Sequence, residues 1–271
     1  MRLKALGSLG TLLGIAVLTV FVHVPRANSP LTTEVITPRH HAPMVRVGVP
    51  GVDGKVSSSN WSGYAVTGSA FSYAKGSWHV PGVDCAKTPS TYSSHWVGID
   101  GYSDKTVEQI GTESDCSGGT PTYYAWYEFY PAGMVPISTV PVGNGNIISA
   151  EVSYDGSQFT LKITNEKTGK SFFTTQTASG AKRTSAEWIS EAPSSGGSVL
   201  PLADFVKSNF GYDKTNIKNT NYASDSSITG PISDFGSKAE EITMINGSTK
   251  KAVPSSLTTD GSSFDVVWKH E

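Results

Sequence analysis

Between Ile147 and Tyr154 the apolar residues Ile148, Ala150, Val152 and Tyr154 alternate with Ser149, Glu151 and Ser153, the two-residue period of a strand with one buried face. Phe159, Leu161 and Ile163 alternate in the same way with Thr160, Lys162 and Thr164, and Asp155-Gly156 lies between the two runs. That pair tolerates the positive φ angles of a tight turn, so the pattern predicts a hairpin. Further strands are predicted at Trp61–Thr67, Phe71–Val80, His95–Asp100, Tyr123–Tyr130, Lys170–Thr177, Ala186–Glu191, Glu241–Ile245 and Phe264–Lys269, each bounded by Gly, Pro, Asn or Ser. Helical periodicity is confined to a turn or two over Leu202–Ser208, and no repeat recurs along the chain. So many short strands predict an all-β sandwich or barrel.

The start of the chain breaks this pattern. Met1-Arg2-Leu3-Lys4 is a short basic opening before an apolar run from Ala5 to Val24, which reads as a secretory signal ending near Ala27. Left uncleaved, residues 5–24 would anchor the protein in a membrane. From Ser29 to Lys55 the chain carries Pro30, Pro38, Pro43 and Pro50 and the basic cluster Arg39-His40-His41, the composition of a linker or pro-segment. The expected organisation is therefore signal 1–27, pro-segment or linker 28–56 and one domain over 57–271.

Charge sharpens that division. The net charge of −2 and the 16% of charged residues leave no basic surface for a phosphate backbone, which excludes nucleic acid as a partner class. Residues 1–56 hold Arg2, Lys4, Arg26, Arg39, Arg46 and Lys55 against Glu34 and Asp53, so the domain keeps 15 bases and 21 acids, a net charge of −6. A basic leader could mask such a domain at neutral pH and release it as carboxylates protonate, although a plain linker fits the composition equally. Cys85 and Cys116 are the two cysteines. Behind an export signal an even count predicts one disulfide, with a nucleophilic thiol served by His79 or His95 as the other reading.

The chain lacks a His-Glu-x-x-His zinc motif, a Gly-x-Ser-x-Gly elbow, a phosphate loop and a dinucleotide fingerprint. What remains is a set of carboxylates among aromatic residues. On Tyr123–Tyr130 one face carries Tyr124, Trp126, Glu128 and Tyr130, either lining a groove for an extended peptide or glycan or belonging to a strand covered on both sides. On Ser185–Glu191 one face carries Glu187, Ile189 and Glu191; a Glu beside apolar neighbours suits a tuned acid or base, and a solvated face is the plainer reading. The third cluster, His95–Gly101 followed by Val107–Gly111, holds Trp96, Asp100 and Gln109. A glutamine amide can donate to an oxyanion at any pH.

Asn60-Trp61-Ser62-Gly63-Tyr64, Trp96-Val97-Gly98-Ile99-Asp100-Gly101, Gln109-Ile110-Gly111, Ala125-Trp126-Tyr127-Glu128 and Ala186-Glu187-Trp188-Ile189 occur in that order. In this the chain resembles the glutamic peptidases, or eqolisins, from Ser57 to its C-terminus. The resemblance implies a secreted, acid-active, pepstatin-insensitive endopeptidase made as a zymogen. It also implies an antiparallel two-sheet β-sandwich, a concanavalin-like jelly roll, with a substrate groove on one face. It places the catalytic pair on Gln109 and Glu187 and implies substrate-positioning or supporting roles for Trp61, Trp96, Asp100, Glu113, Trp126 and Glu128. Glu113 stands where fungal members carry an Asp, and the stretch between Trp96 and Gln109 is slightly shorter than theirs. Polypeptides are the expected partners, with no metal or organic cofactor and no stable membrane association once the signal is removed. The chain is expected to be monomeric. A glycan-binding module, or a glycoside hydrolase pairing Glu128 with Glu187, is the alternative on the same fold, and a catalytically silent sandwich is a third reading. Asn60 and Asn246 each begin a glycan-acceptor triplet.

Overall fold

The computed structural model describes residues 39–48 and 55–271. The expected signal segment and residues 28–38 and 49–54 of the expected pro-segment or linker lie outside the described residues. Two layers of mainly antiparallel strands pack face to face, giving the all-β sandwich. In the front layer the strands run Lys55–Ser58, Ala239–Asn246, Trp61–Thr67, Ser185–Glu191, Ser94–Ile99, Val107–Ser117, Thr120–Tyr130 and Val135–Ile137. Only the first pair is parallel. The back layer runs Lys170–Gln176, Phe159–Asn165, Ile147–Tyr154, Tyr73–His79, Lys207–Phe210, Phe264–Trp268 and Thr249–Pro254. Thr249–Pro254 also pairs with Ala239–Asn246 through a bulge between Met244 and Ile245, where the sheet passes from one layer to the other.

The core lies between the layers, because alternate residues of each strand point inward. Val66, Val97, Ile110, Ala125 and Trp188 descend from the front, against Trp78, Ile148, Val152, Leu161, Ile163, Phe210 and Phe264 from the back, all buried. Five tryptophans are fully buried. Burying a large aromatic or aliphatic side chain contributes about 1.5–3 kcal/mol, and this core supplies many.

The predicted hairpin forms with its strands as expected, except that four residues close it. Tyr154 pairs with Phe159, Gly156 takes φ +103°, and Asp155 Oδ1 accepts from the N–H of Ser157 and Gln158 at 2.8 Å each. Leu202–Ser208 is not helical. Leu202, Ala203 and Phe205 are buried as single anchors, and Lys207–Phe210 is a strand. Among the described residues the helices are the one-turn Tyr212–Thr215 and the 3-10 segment Ile232–Lys238. Val107–Ser117, not expected as a strand, is one of the two longest; ten of its eleven residues are buried. Glu108, Gln109, Glu113 and Asp115 lie on both of its faces, so no apolar alternation betrays it.

Candidate active site

In an antiparallel sheet, residues directly opposite each other point to the same face. The register of the front layer therefore sets out rows across its outer face. One row reads Ala65, Glu187, Gly98, Gln109, Glu128. The next reads Gly63, Ile189, Trp96, Gly111, Trp126, and the third reads Trp61, Glu191, Ser94, Glu113, Tyr124. Seven of the eight expected catalytic and positioning residues are thus gathered on one face of five adjacent strands.

Gly98 lies between Gln109 and Glu187. A Cβ there would come within 2.9 Å of the Trp96 ring and 3.2 Å of Gln109 Cβ, so only glycine leaves the space between the two side chains clear. Their backbones stand two strand spacings apart, about 10 Å. Gly111 does the same for the tryptophans, since its Cβ would strike Trp96 Cβ at 2.5 Å and the Trp126 ring at 3.0 Å.

The tryptophans are held by their indole N–H groups. Trp96 Nε1 donates to Glu191 Oε2 at 2.8 Å and Trp126 Nε1 to Ser94 Oγ at 3.1 Å. The rings of Trp61 and Trp96 meet edge to face at 4.9 Å, a favourable aromatic geometry. With Ala65, Val107, Ile189 and Ile242 they form a second apolar cluster, outside the main core.

Residues 39–47 lie across this face. Gln109 Nε2 donates to the His41 carbonyl at 2.6 Å. Trp61 Nε1 and Asn60 Nδ2 both donate to the Ala42 carbonyl, at 3.0 and 3.2 Å. The Met44 N–H donates to the Gly101 carbonyl at 2.9 Å, and the Val45 N–H to Asn60 Oδ1 at 2.8 Å. At one end His40 exchanges backbone hydrogen bonds with Ser194, and Arg39 pairs with Asp115. The stretch expected as pro-segment or linker is thus hydrogen-bonded into the site over most of its described length.

The carboxylates are unusual for their burial. Glu187 is fully buried and neither oxygen meets a partner in good hydrogen-bond geometry; burial pushes its pKa well above the ordinary range, the nearby Ser185 hydroxyl offsets this in part, and Asp100, Asp104 and Glu108 add to it. Burial raises Glu113 to about 7, partly offset by Asp115 and Arg39. Glu191 is also pushed well above its ordinary value by burial. A cluster of shifted acids gathered on one face makes that face a candidate functional site.

A family profile described as the Peptidase A4 family matches residues 59–266. The chain belongs to the Peptidase A4 family. Over 180 residues it is 31% identical to Aspergillopepsin-2 of Aspergillus niger, covering 57% of this chain and 63% of that protein; it thus spans less than two thirds of that relative's length. The crystal structure of aspergilloglutamic peptidase from Aspergillus niger superposes with a TM-score of 0.56 at 27% identity, covering 66% of this chain and 99% of that one. The structure of scytalido-glutamic peptidase with a transition state analog inhibitor shares the fold, with a TM-score of 0.64 at 24% identity over 78% of this chain and 98% of that one.

In this A4-family chain Asp100 stands apart from the rows. It follows the Ser94–Ile99 strand at φ +73°, and its oxygens accept from the backbone N–H of Lys182, Arg183 and Thr184 at 2.7–2.8 Å. It therefore anchors the loop leading into the Glu187 strand. Cys85 and Cys116 form the expected disulfide, with Cα atoms 5.3 Å apart, at the far end of the Gln109 strand. The thiol nucleophile reading is thereby corrected.

Several site residues went unassigned from sequence. Asn60, Ser94 and Glu191 hold the tryptophans and residues 42–45, although Asn60 opens a recognised motif and Glu191 shares a predicted strand face with Glu187. Arg39, His40 and His41 announced themselves only as a basic cluster before an acidic domain. Among the described residues no group of three or more His, Cys, Asp or Glu is placed to hold a metal ion, and no helix is long and apolar enough to cross a membrane.

Proposed function

We propose that this protein is a secreted, acid-active endopeptidase in which Gln109 and Glu187 act as a pair on a bound water. One observation carries the reading: the Gln109 amide donates to the carbonyl oxygen of a peptide bond, His41–Ala42, lying on the face that Glu187 shares. An oxyanion donor must stand there. Ionised Glu187 takes a proton from water as the water oxygen attacks the scissile carbonyl carbon, Gln109 stabilises the developing oxyanion, and Glu187 returns the proton to the leaving nitrogen. Loss of one oxyanion donor costs about 10²–10³ in turnover, and loss of a general base about 10²–10⁴.

The raised pKa of Glu187 belongs to the covered site. Buried without a partner it is a neutral acid, because charge without solvent or hydrogen bonds is strongly disfavoured. Admission of water alongside a substrate supplies the missing partners and returns it toward the ordinary carboxylate range, about 4.3. That range suits a base working in acid. A mechanism without a shared-proton aspartate pair also accounts for the expected insensitivity to pepstatin.

The glycosidase alternative fares poorly on geometry. Gln109 stands between Glu128 and Glu187 in their row, and both Glu128 oxygens are taken up by His40 and His41, so the two carboxyls do not face each other directly as a glycosidase pair flanking one bond would. Digestion of a denatured protein across pH 2–7 with pepstatin present tests the proposal. Acid-only cleavage is expected; its absence at every pH overturns the reading.

A further inference from the structure

The back layer carries a second concave site, built from residues that the peptidase reading does not use. Residues 218–222 run into the strand Tyr222–Ser224, which pairs with Tyr73–His79. Beside them lie the one-turn helix Tyr212–Thr215 and the loop that precedes Phe264–Trp268. Tyr212, Lys218, Asn219, Thr220, Tyr222 and Asp260 line a cleft of about 230 Å³ between these pieces.

Local chemistry fixes the walls. Asn219 and Asn221 take φ +51° and +50°, left-handed angles that Asn tolerates better than most residues, and so turn the chain on either side of Thr220. Asn221 Nδ2 donates to the Ser262 carbonyl at 2.7 Å, tying this segment to the opposite wall. There Asp260 Oδ1 accepts from the N–H of Ser262 and Ser263 at 2.8 and 2.9 Å and from the Thr258 hydroxyl at 2.7 Å. Its Oδ2 accepts from the Ser262 and Ser263 hydroxyls at 2.9 and 2.6 Å. A carboxylate offers about four lone-pair sites, so Asp260 is fully engaged in holding the frame.

The groups left for a ligand are of another kind. Thr220 is 1% exposed and its Oγ1 has no hydrogen-bond partner, an arrangement that costs stability unless something entering the cleft completes it. Around it stand the Lys218 ammonium, the Asn219 amide and the phenols of Tyr212 and Tyr222. A metal ion finds no free carboxylate here and is repelled by the ammonium. A phosphate meets one cation offset by the Asp260 charge. A pyranose ring has an apolar C–H face to lie on a tyrosine and a rim of hydroxyls that both donate and accept, which suits an ammonium, an amide and three hydroxyls together. The volume lies below the roughly 300–1,000 Å³ of sites for drug-sized ligands, which limits the occupant to one ring.

We propose that this cleft binds a single pyranose sugar, a terminal or side residue of a polysaccharide, and so tethers the protein to glycan-bearing material while the front layer handles peptides. The inference stands apart from the peptidase reading, since no residue of the cleft belongs to the rows of the front layer.

The test titrates the full chain, labelled with nitrogen-15, at pH 5 with glucose, galactose and galacturonic acid, and with acetate and phosphate as anion controls, while backbone amide shifts are followed. At least one sugar is expected to move the amides of 218–222 and 260–263 with a Kd of about 1–10 mM, as befits one ring making few contacts, and to leave those of Trp61, Trp96 and Trp126 in place. Thr220→Val replaces the unpartnered hydroxyl by a methyl of the same shape; it is expected to weaken that binding about 2–10-fold, the loss of one hydrogen bond, with the melting temperature unchanged or raised. Tyr212 is 38% exposed, so Tyr212→Ala serves if the first variant fails to fold, and lost stacking is expected to weaken binding by about the same factor. No shift with any sugar, shifts confined to the front layer, an affinity unchanged in the folded variants, or a stronger response of these amides to acetate or phosphate overturns the inference and leaves the peptidase reading untouched.

Discussion

Gln109 and Glu187 project from the same row of the front sheet, two strands apart, with only the hydrogen of Gly98 between them. An amide donor and a carboxyl group therefore face each other across a gap of backbone width, wide enough for a peptide carbonyl and a water. Each side chain is useful because of where the other stands.

Removal of either is expected to act on turnover and not on folding. Gln109→Ala should lower kcat by about 10²–10³ and Glu187→Gln by about 10²–10⁴. Glu187→Gln should leave the thermal midpoint near or above that of the parent, since it removes a buried carboxyl without a partner, and Gln109→Ala should lower it only by the hydrogen bond to the His41 carbonyl, about 0.5–1.5 kcal/mol. Initial rates on a denatured substrate at pH 3–5, beside melting curves, check this. A folded variant that keeps full activity would remove its residue from the mechanism.

Gly98→Ala tests the gap itself. Its Cβ would press on the Trp96 ring at 2.9 Å and on Gln109 Cβ at 3.2 Å, and overpacking of this kind costs about 1–3 kcal/mol. The expected result is a lowered melting temperature together with at least a tenfold fall in kcat, because one of the displaced side chains, Gln109, belongs to the reacting pair. Gly118→Ala is not an equivalent change, as nothing lies within 4 Å of that position; its cost comes from a backbone φ of +55° and should leave activity intact.

The buried acids make stability depend on pH in a defined direction. Glu113 is raised to about 7 and Glu108 to about 9, burial being the leading cause for each. Both hold a proton in the folded state that they lose in the unfolded chain above about pH 4.5, so their contribution is complete below that pH and lost as pH rises through the folded values. His41 and His95 are lowered by burial and oppose this trend, but only below about pH 6.5, where the unfolded histidines take up protons. Between pH 6.5 and 9 the carboxyls act without that opposition. Unfolding free energy is therefore expected to fall steadily over that interval, and Glu108→Gln to flatten the upper part of the slope. Urea melts at half-unit steps of pH would show it; a flat profile would refute the assignment.

The Cys85–Cys116 bridge closes a loop of sequence separation 31 around the end of the Gln109 strand. Disulfides over loops of this size contribute about 2–4 kcal/mol, chiefly by restricting the unfolded chain. Cys85→Ser with Cys116→Ser should lower the melting temperature accordingly while leaving kcat within a few-fold. Thermal scans of the double variant beside the parent, each assayed at its folded temperature, measure both.

The paired strands from Ile147 to Asn165 were readable because local alternation and burial agree there. The Gln109 strand was not readable as a strand, because Glu108 turns toward the core and Gln109 and Glu113 toward the site, so polar residues occupy both faces. Its glutamine was found through the ordered motifs alone. His41 was invisible for a related reason. Nothing in Arg39-His40-His41 says which acids it meets, and Glu113 and Glu128 follow it by 72 and 87 positions.

From its own residues the chain determines an all-β domain, strands that alternate, and a set of acids and tryptophans in a recognisable order. Those are local properties, set by backbone sterics and by whether neighbouring side chains prefer water. Which acids share a face, that Gly98 clears the space between Gln109 and Glu187, and that residues 39–47 return to lie on the site were decided only by the tertiary structure. Register between strands far apart in sequence arises from packing two layers around one core, and it is this long-range pairing that turns scattered residues into a site.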